Sequence, residues 1–334
     1  MGRTGLALLT EDIDDRSALK YKDMDFWSDK DRSAYRSWMT IDQLSKKPNF
    51  SYHKNCLVLK FKEHDGGVDV IVKRTDTNEE QIFTCKKLIL SPGVLGTARI
   101  VIRSFDHQKE QLPIICNPYS YIPCVQWRML GKAIEQKKTG FGQLMMFVDE
   151  RKDNFDVGSI ALFSYQSLLL YKLIKEAPLN FADSRIIMQY LQSSFTIAGM
   201  HHPERPSASK FIRLNKNQNS FTGDILTGEY LLSENEKMIN AKRESKVRSV
   251  LRTLGCQPLK TVHTPNGGSI HYAGTLPFKT NGEKFSVYPD GKLAGTKNVY
   301  VADGSGFIYL PAKGLTFTLM ANAYNVAQNS LKDG

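Results

Sequence analysis

Two rhythms of apolar and polar residues alternate along the chain. From Asn49 the spacing is close to two. Asn49–Phe61 predicts one or two strands, His64-Asp65-Gly66-Gly67 a turn, and Val68–Val72 and Gln81–Cys85 two further strands joined by a polar loop. Lys87-Leu88-Ile89-Leu90 then reads as a short buried strand. It runs into Ser91-Pro92-Gly93-Val94-Leu95-Gly96-Thr97, a glycine-containing turn and a helix start. A similar layout closes the chain. Val299–Ala302 is an apolar, β-prone strand that stops at Asp303-Gly304, and after Leu310-Pro311-Ala312-Lys313-Gly314 the helical spacing returns. Met320, Ala323, Val326, Ala327 and Leu331 are expected to share one face of that last helix. A strand, a glycine turn and a helix start point backbone N–H groups at an anion or a polar ring edge.

Between these two blocks the signals are sparser. Ser164–Ile174 and Ala182–Leu191 repeat apolar residues at three and four and predict helices. Phe141–Val148, Phe211–Leu214 and Phe221–Leu232 alternate as strands do. Ser233-Glu234-Asn235-Glu236 is a capping box opening a helix that Gly255 would stop. Lys242, Arg243, Lys246 and Arg248 on that helix read as a solvated face. Met1–Ser45 mixes acidic and basic residues and reads as connecting structure.

Composition narrows the class. With 334 residues, 41% hydrophobic and 24% charged, the chain can bury one large core or two ordinary ones. The most apolar stretch, Ile160–Ile174, is broken by Ser164, Gln166, Ser167 and Lys172, so no membrane span is expected. The amino terminus shows no secretory pattern, and cytoplasm is the expected location. Five scattered cysteines without C-x-x-C spacing predict reduced thiols, not a disulfide framework or a zinc site. Adjacent His201 and His202 would diverge in a strand, so no metal is expected there. A formal charge of +11 comes without a helix-turn-helix, zinc-finger or aromatic RNA-binding signature, which predicts a solvated basic surface and no nucleic-acid partner.

Taken together in order, His271 with Gly274-Thr275, Tyr300-Val301-Ala302-Asp303-Gly304-Ser305, Pro311 and Thr316-x-Thr318 before an Ala-rich helix resemble the carboxy-terminal signature of the glucose–methanol–choline (GMC) flavin oxidoreductases. The resemblance implies an α/β (α+β) fold. It would comprise an incomplete FAD-binding Rossmann-like domain with a β-meander (1–103), a substrate domain of antiparallel sheet with helices on one side (104–265), and a returning catalytic segment (266–334). FAD is the implied cofactor. The implied partner is a small-molecule alcohol, such as a sugar, polyol or sterol. Hydride transfer from a carbinol carbon needs a base at the hydroxyl, and His271 matches that position. Gly314 aligns with the second catalytic position, where the family usually carries Asn or His. Lys313 beside it would either reach in to stabilise a developing alkoxide or face solvent, leaving His271 to act alone. Val58 matches the position whose backbone meets the adenine. Ser91 and Gly93, Asp303 and Gly304, and Leu315, Thr316 and Thr318 match cofactor contacts.

The family also opens with a G-x-G-x-x-G turn for the pyrophosphate. Gly2-x-x-Gly5 and Gly93-x-x-Gly96 do not supply it. Three expectations follow: a longer gene read only in part, a complementary N-terminal polypeptide, or a non-catalytic chain that folds without flavin.

Overall fold

The computed structural model describes all residues except 4, 6, 21–31, 108, 109, 134–141, 143, 150–155, 165–177, 179 and 334. The chain weaves between two compact units. One comprises residues 53–118, 202–236 and 264–334, and the other 1–52, 119–201 and 237–263.

In the first of these units, Cys56–His64, Gly67–Arg74 and Glu80–Cys85 form an antiparallel meander. The expected first strand begins later than Asn49, because Asn55 adopts φ 60° and turns the chain just before Cys56. Alternation then does what the pattern promised. Val68, Val70 and Val72 point inward and are buried with Phe61, each worth about 1.5–3 kcal/mol as an upper estimate. Helix Val94–Ser104 buries Ala98, Ile100, Val101 and Ile102 in the same core. Strand Leu88–Leu90 lies parallel to Val299–Val301. A three-stranded sheet joins Asp224–Tyr230, Lys210–Lys216 and Leu112–Pro113.

The terminal helix, Thr316–Lys332, differs from expectation in its buried face. Val326 and Ala323 pack on Tyr300 and Ala302, with Ser330 also buried, but Met320 is 55% and Leu331 74% exposed. Small residues at 323 and 330 bring the helix close to the strand beneath. Met320 and Leu331 lie one position further round, about 100° from that line.

The second unit is built on an antiparallel sheet in which Gly2–Arg3, Leu144–Val148, Gly158–Ser164, Phe195–His201, Tyr119–Val125 and Gln257–Pro258 succeed one another, with Val262–His263 also on Tyr119–Val125. Ile122, Met146, Ile160 and Met200 meet Val247 and Leu251 of helix Glu234–Thr253. Ser164, expected to open a helix, ends a strand instead, and residues 165–174 lie outside those described. Phe141 of the expected strand is likewise outside, while Leu144–Val148 forms. The expected Ala182–Leu191 helix runs from Phe181, capped by the Asn180 side chain on Asp183 N–H at 2.9 Å.

The capping box closes in both directions. Ser233 N–H donates to Glu236 Oε2 at 2.7 Å, and Glu236 N–H to Ser233 Oγ at 3.3 Å. At the other end Gly255, at φ 80°, lets Cys256 N–H reach Leu251 O at 2.9 Å. Arg243 is not on a solvated face. It is 2% exposed, and its guanidinium donates to Asp156 O at 2.5 Å. All five cysteines are free thiols, and burial pushes Cys116 up to about 11 and Cys124 up to about 12. No helix among the described residues is long and apolar enough to cross a membrane.

Candidate functional site

Every sequence-predicted site residue falls in the unit of residues 53–118, 202–236 and 264–334. Because Leu88–Leu90 and Val299–Val301 run parallel, their carboxyl ends open on the same side, and each delivers a glycine turn there. Ser91 and Gly93 are exposed before the helix at Val94. Asp303 and Gly304 are buried, and Gly304–Gly306 forms a single 3₁₀ turn. The two turns are tied together by Thr97 Oγ1, which donates to Asp303 Oδ2 at 2.6 Å. Asp303 Oδ1 accepts from Ser305 N–H at 2.9 Å and Ser305 Oγ at 2.6 Å. Both carboxylate oxygens are thus engaged by the chain itself. Asp303 shapes the turn, and the groups left for a ligand are backbone.

His271 is brought to this turn by the strand that follows it. Gly274 N–H donates to Gly304 O at 3.1 Å, Leu276 N–H to Ser305 O at 2.8 Å and Phe278 N–H to Gly306 O at 2.7 Å. Tyr272–Ala273 also pairs antiparallel with Ile115–Cys116. The imidazole is half-buried, and burial lowers its pKa, favouring the neutral ring that a base requires. Its Nδ1 lies 3.0 Å from Oδ1 of Asn117, a fully buried residue that sequence reasoning missed. Asn117 Nδ2 donates to His202 O at 2.8 Å and approaches Pro311 O at 3.3 Å and Leu310 O at 3.5 Å. One amide therefore holds both the imidazole and the loop that leads to Lys313 and Gly314.

Leu315 is buried with Ile115, Ala273 and Leu310, anchoring the start of the last helix. Thr316 and Thr318 are exposed in its first turn, and its N-cap residue, Leu315, makes no side-chain cap. The intrahelical ladder begins with Leu319 N–H on Leu315 O at 2.9 Å, so the N–H groups of residues 316–318 precede it. A Cβ at Gly304 would lie 3.4 Å from both Val94 Cγ2 and Leu319 Cδ2, and 3.5 Å from Tyr272 O. The first glycine turn, the second, the His271 strand and the helix start therefore meet at one place. Lys313 and Gly314 are exposed beside it, and a Cβ at Gly314 would meet nothing within 4 Å. Val58 sits on the meander, half-buried against the core and paired with Val72 across a bulge that precedes Lys60.

These residues suit a ligand with an anionic or polar edge. The positions in front of Gly93 and Gly314 are open, and among the described residues the N-cap, Leu315, spends no side chain on the N–H groups of the helix start. Among the described residues no cluster of three His, Cys, Asp or Glu could hold a metal.

The architecture is that of a mixed α/β protein with antiparallel sheets. No protein-family model and no curated protein sequence matches the chain. Among solved structures, pyridoxine 4-oxidase from Mesorbium loti superposes with a TM-score of 0.55 at 12% identity, over 81% of this chain and 56% of that one. An FAD-dependent oxidoreductase from Chaetomium thermophilum superposes with a TM-score of 0.56 at 15% identity, over 90% and 64%. At such identities the likeness is one of fold. The chain spans less than two thirds of the length of either protein.

Proposed function

We propose that the chain carries the catalytic edge of a GMC-type, FAD-dependent oxidoreductase that acts on a CH–OH group. A bound flavin would supply the two-electron acceptor for the carbinol hydride. The first glycine turn at Ser91 and Gly93, the second at Gly304 and the N–H groups of residues 315–318 would hold it, with the helix start supporting negative charge. His271 takes the hydroxyl proton of the substrate, and its lowered pKa keeps it ready to do so at neutral pH. Lys313, exposed beside this turn, would reach in to stabilise the developing alkoxide. The dinucleotide-binding turn, and with it Val58's contact to adenine, would be completed by a polypeptide segment outside these residues.

The observation that carries this reading is the stitching of the His271 strand onto Gly304–Gly306, within reach of two glycine turns and the helix start. A second reading, a non-catalytic binding subunit, is favoured by Gly314, which offers no side chain at the second catalytic position. Expression together with the coding sequence that precedes Met1 separates the two. The first predicts yellow protein with stoichiometric FAD, whereas colourless folded protein that binds no FAD on titration would support the second.

A further inference from the structure

We propose that Asn117 is the positioning residue that sets the tautomer of His271, holding the ring proton on Nδ1 and the basic lone pair on Nε2. The sheet register places the two side chains. Cys116 pairs with Tyr272, so one step further along the antiparallel ladder residue 117 stands opposite residue 271. Asn117 is 0% exposed, and its amide orientation is dictated by its surroundings. The carbonyl oxygens of His202, Leu310 and Pro311 surround Nδ2 at 2.8, 3.5 and 3.3 Å. A carbonyl oxygen only accepts, so the end of the amide facing all three is the NH₂ group. Oδ1 is therefore the end that faces His271 Nδ1 at 3.0 Å, and an amide oxygen also only accepts. The ring nitrogen opposite must be the donor. The alternative tautomer would set lone pair against lone pair at a fully buried amide oxygen, which disfavours it on the order of tenfold or more. Three main-chain carbonyls thus fix, through one amide, which nitrogen of His271 is basic.

Asparagine suits this task better than a carboxylate. It orients the ring without adding a buried negative charge that would favour the imidazolium and remove the base. The catalytic consequence rests on His271 acting as the proton acceptor, but the tautomer does not. That lets the two be tested apart.

The experiment is two-bond ¹H–¹⁵N correlation on the full chain labelled at histidine, at pH 8, with His271 assigned by its loss in His271→Gln. The expected spectrum has His271 Nδ1 at a protonated shift and Nε2 at an unprotonated one. Asn117→Leu should move both nitrogens toward the averaged shifts of a mixed population. A wild-type His271 protonated on Nε2 would overturn the assignment and needs no variant to be seen. So would an Asn117→Leu spectrum identical to wild type in protein that retains its far-ultraviolet dichroism. The measurement uses neither flavin nor turnover. A chain with the expected tautomer that oxidises no alcohol would keep this inference and lose the proposed function.

Discussion

Gly93 and Gly314 make a controlled pair for testing how the glycine turns are built. Both lie in the same compact unit, and a Cβ at either position would meet no atom within 4 Å. Steric crowding therefore cannot separate them, and backbone conformation can. Gly93 holds φ 86° and ψ 156°, a region essentially reserved for glycine, whereas Gly314 is not among the positive-φ glycines. Forcing a residue with a Cβ into that region costs about 1–3 kcal/mol. Replacing glycine by alanine also removes unfolded-state freedom, which stabilises by about 0.4–1 kcal/mol wherever the native conformation is permitted. That second effect is common to both sites and cancels in the comparison. Gly314→Ala should be neutral to slightly stabilising, and Gly93→Ala should fall below it by about 1–3 kcal/mol. With a urea slope of about 2 kcal/mol/M, the midpoints should differ by roughly 0.5–1.5 M, followed by far-ultraviolet dichroism. Equal midpoints, or a lower one for Gly314→Ala, would refute the claim that the turn at Gly93 is held in a glycine-only conformation.

Three further perturbations test the packing around the site. Lys210 is 0% exposed and lies 2.7 Å from Glu204, itself 3% exposed, so Lys210→Met should cost about 3–5 kcal/mol at pH 8 by stranding that carboxylate. Burial raises the pKa of Glu204, and losing the cation raises it further. A carboxyl whose folded pKa exceeds its unfolded one loses stability as pH rises between the two. The deficit in Lys210→Met should therefore shrink toward pH 5, and a pH-independent deficit would count against the assignment. Burial opposes ionisation of Asp224, but hydrogen bonds from Arg103 and Arg99 hold its carboxyl below the usual range. That stabilisation is present above the unfolded value and is lost as pH falls through the folded one. Asp224→Asn should thus cost about 2–3 kcal/mol near pH 7, with a gap to wild type that closes below about pH 4 in parallel urea titrations. Ser233→Ala should cost about 1 kcal/mol in the same assay, because Glu236 N–H loses its Ser233 Oγ acceptor.

What the sequence disclosed was local. Strands Leu88–Leu90 and Val299–Val301 are legible because each is a short apolar run ended by a glycine turn, although their parallel pairing is not, and the helix at Ser233 because its cap is written within four residues. Strand Tyr119–Val125 escaped because Pro123 argues against a strand and because its partners lie far away, at Phe195–His201 and Gln257–Pro258. Arg243 looked solvated because its partner, Asp156, is 87 residues distant. Asn117 is the instructive case. Asn-Pro reads locally as a turn, and its significance arises only when the ladder sets it against His271, 154 residues later. In the last helix the apolar residues support more than one stripe, and the choice between them was made by the close approach of Ala323 and Val326 to Tyr300.

Anaerobic reduction of bound flavin bears most directly on the central claim, that the imidazole of His271 and the two glycine turns form one alcohol-oxidising site. With flavin loaded and a panel of sugars, polyols, sterols and aliphatic alcohols, at least one should bleach the oxidised absorbance of the wild-type protein. His271→Gln, with the same flavin content, should bleach about 10²–10⁴-fold more slowly. Bleaching at the wild-type rate in that variant, or a loaded wild-type protein that no alcohol reduces, would contradict the account.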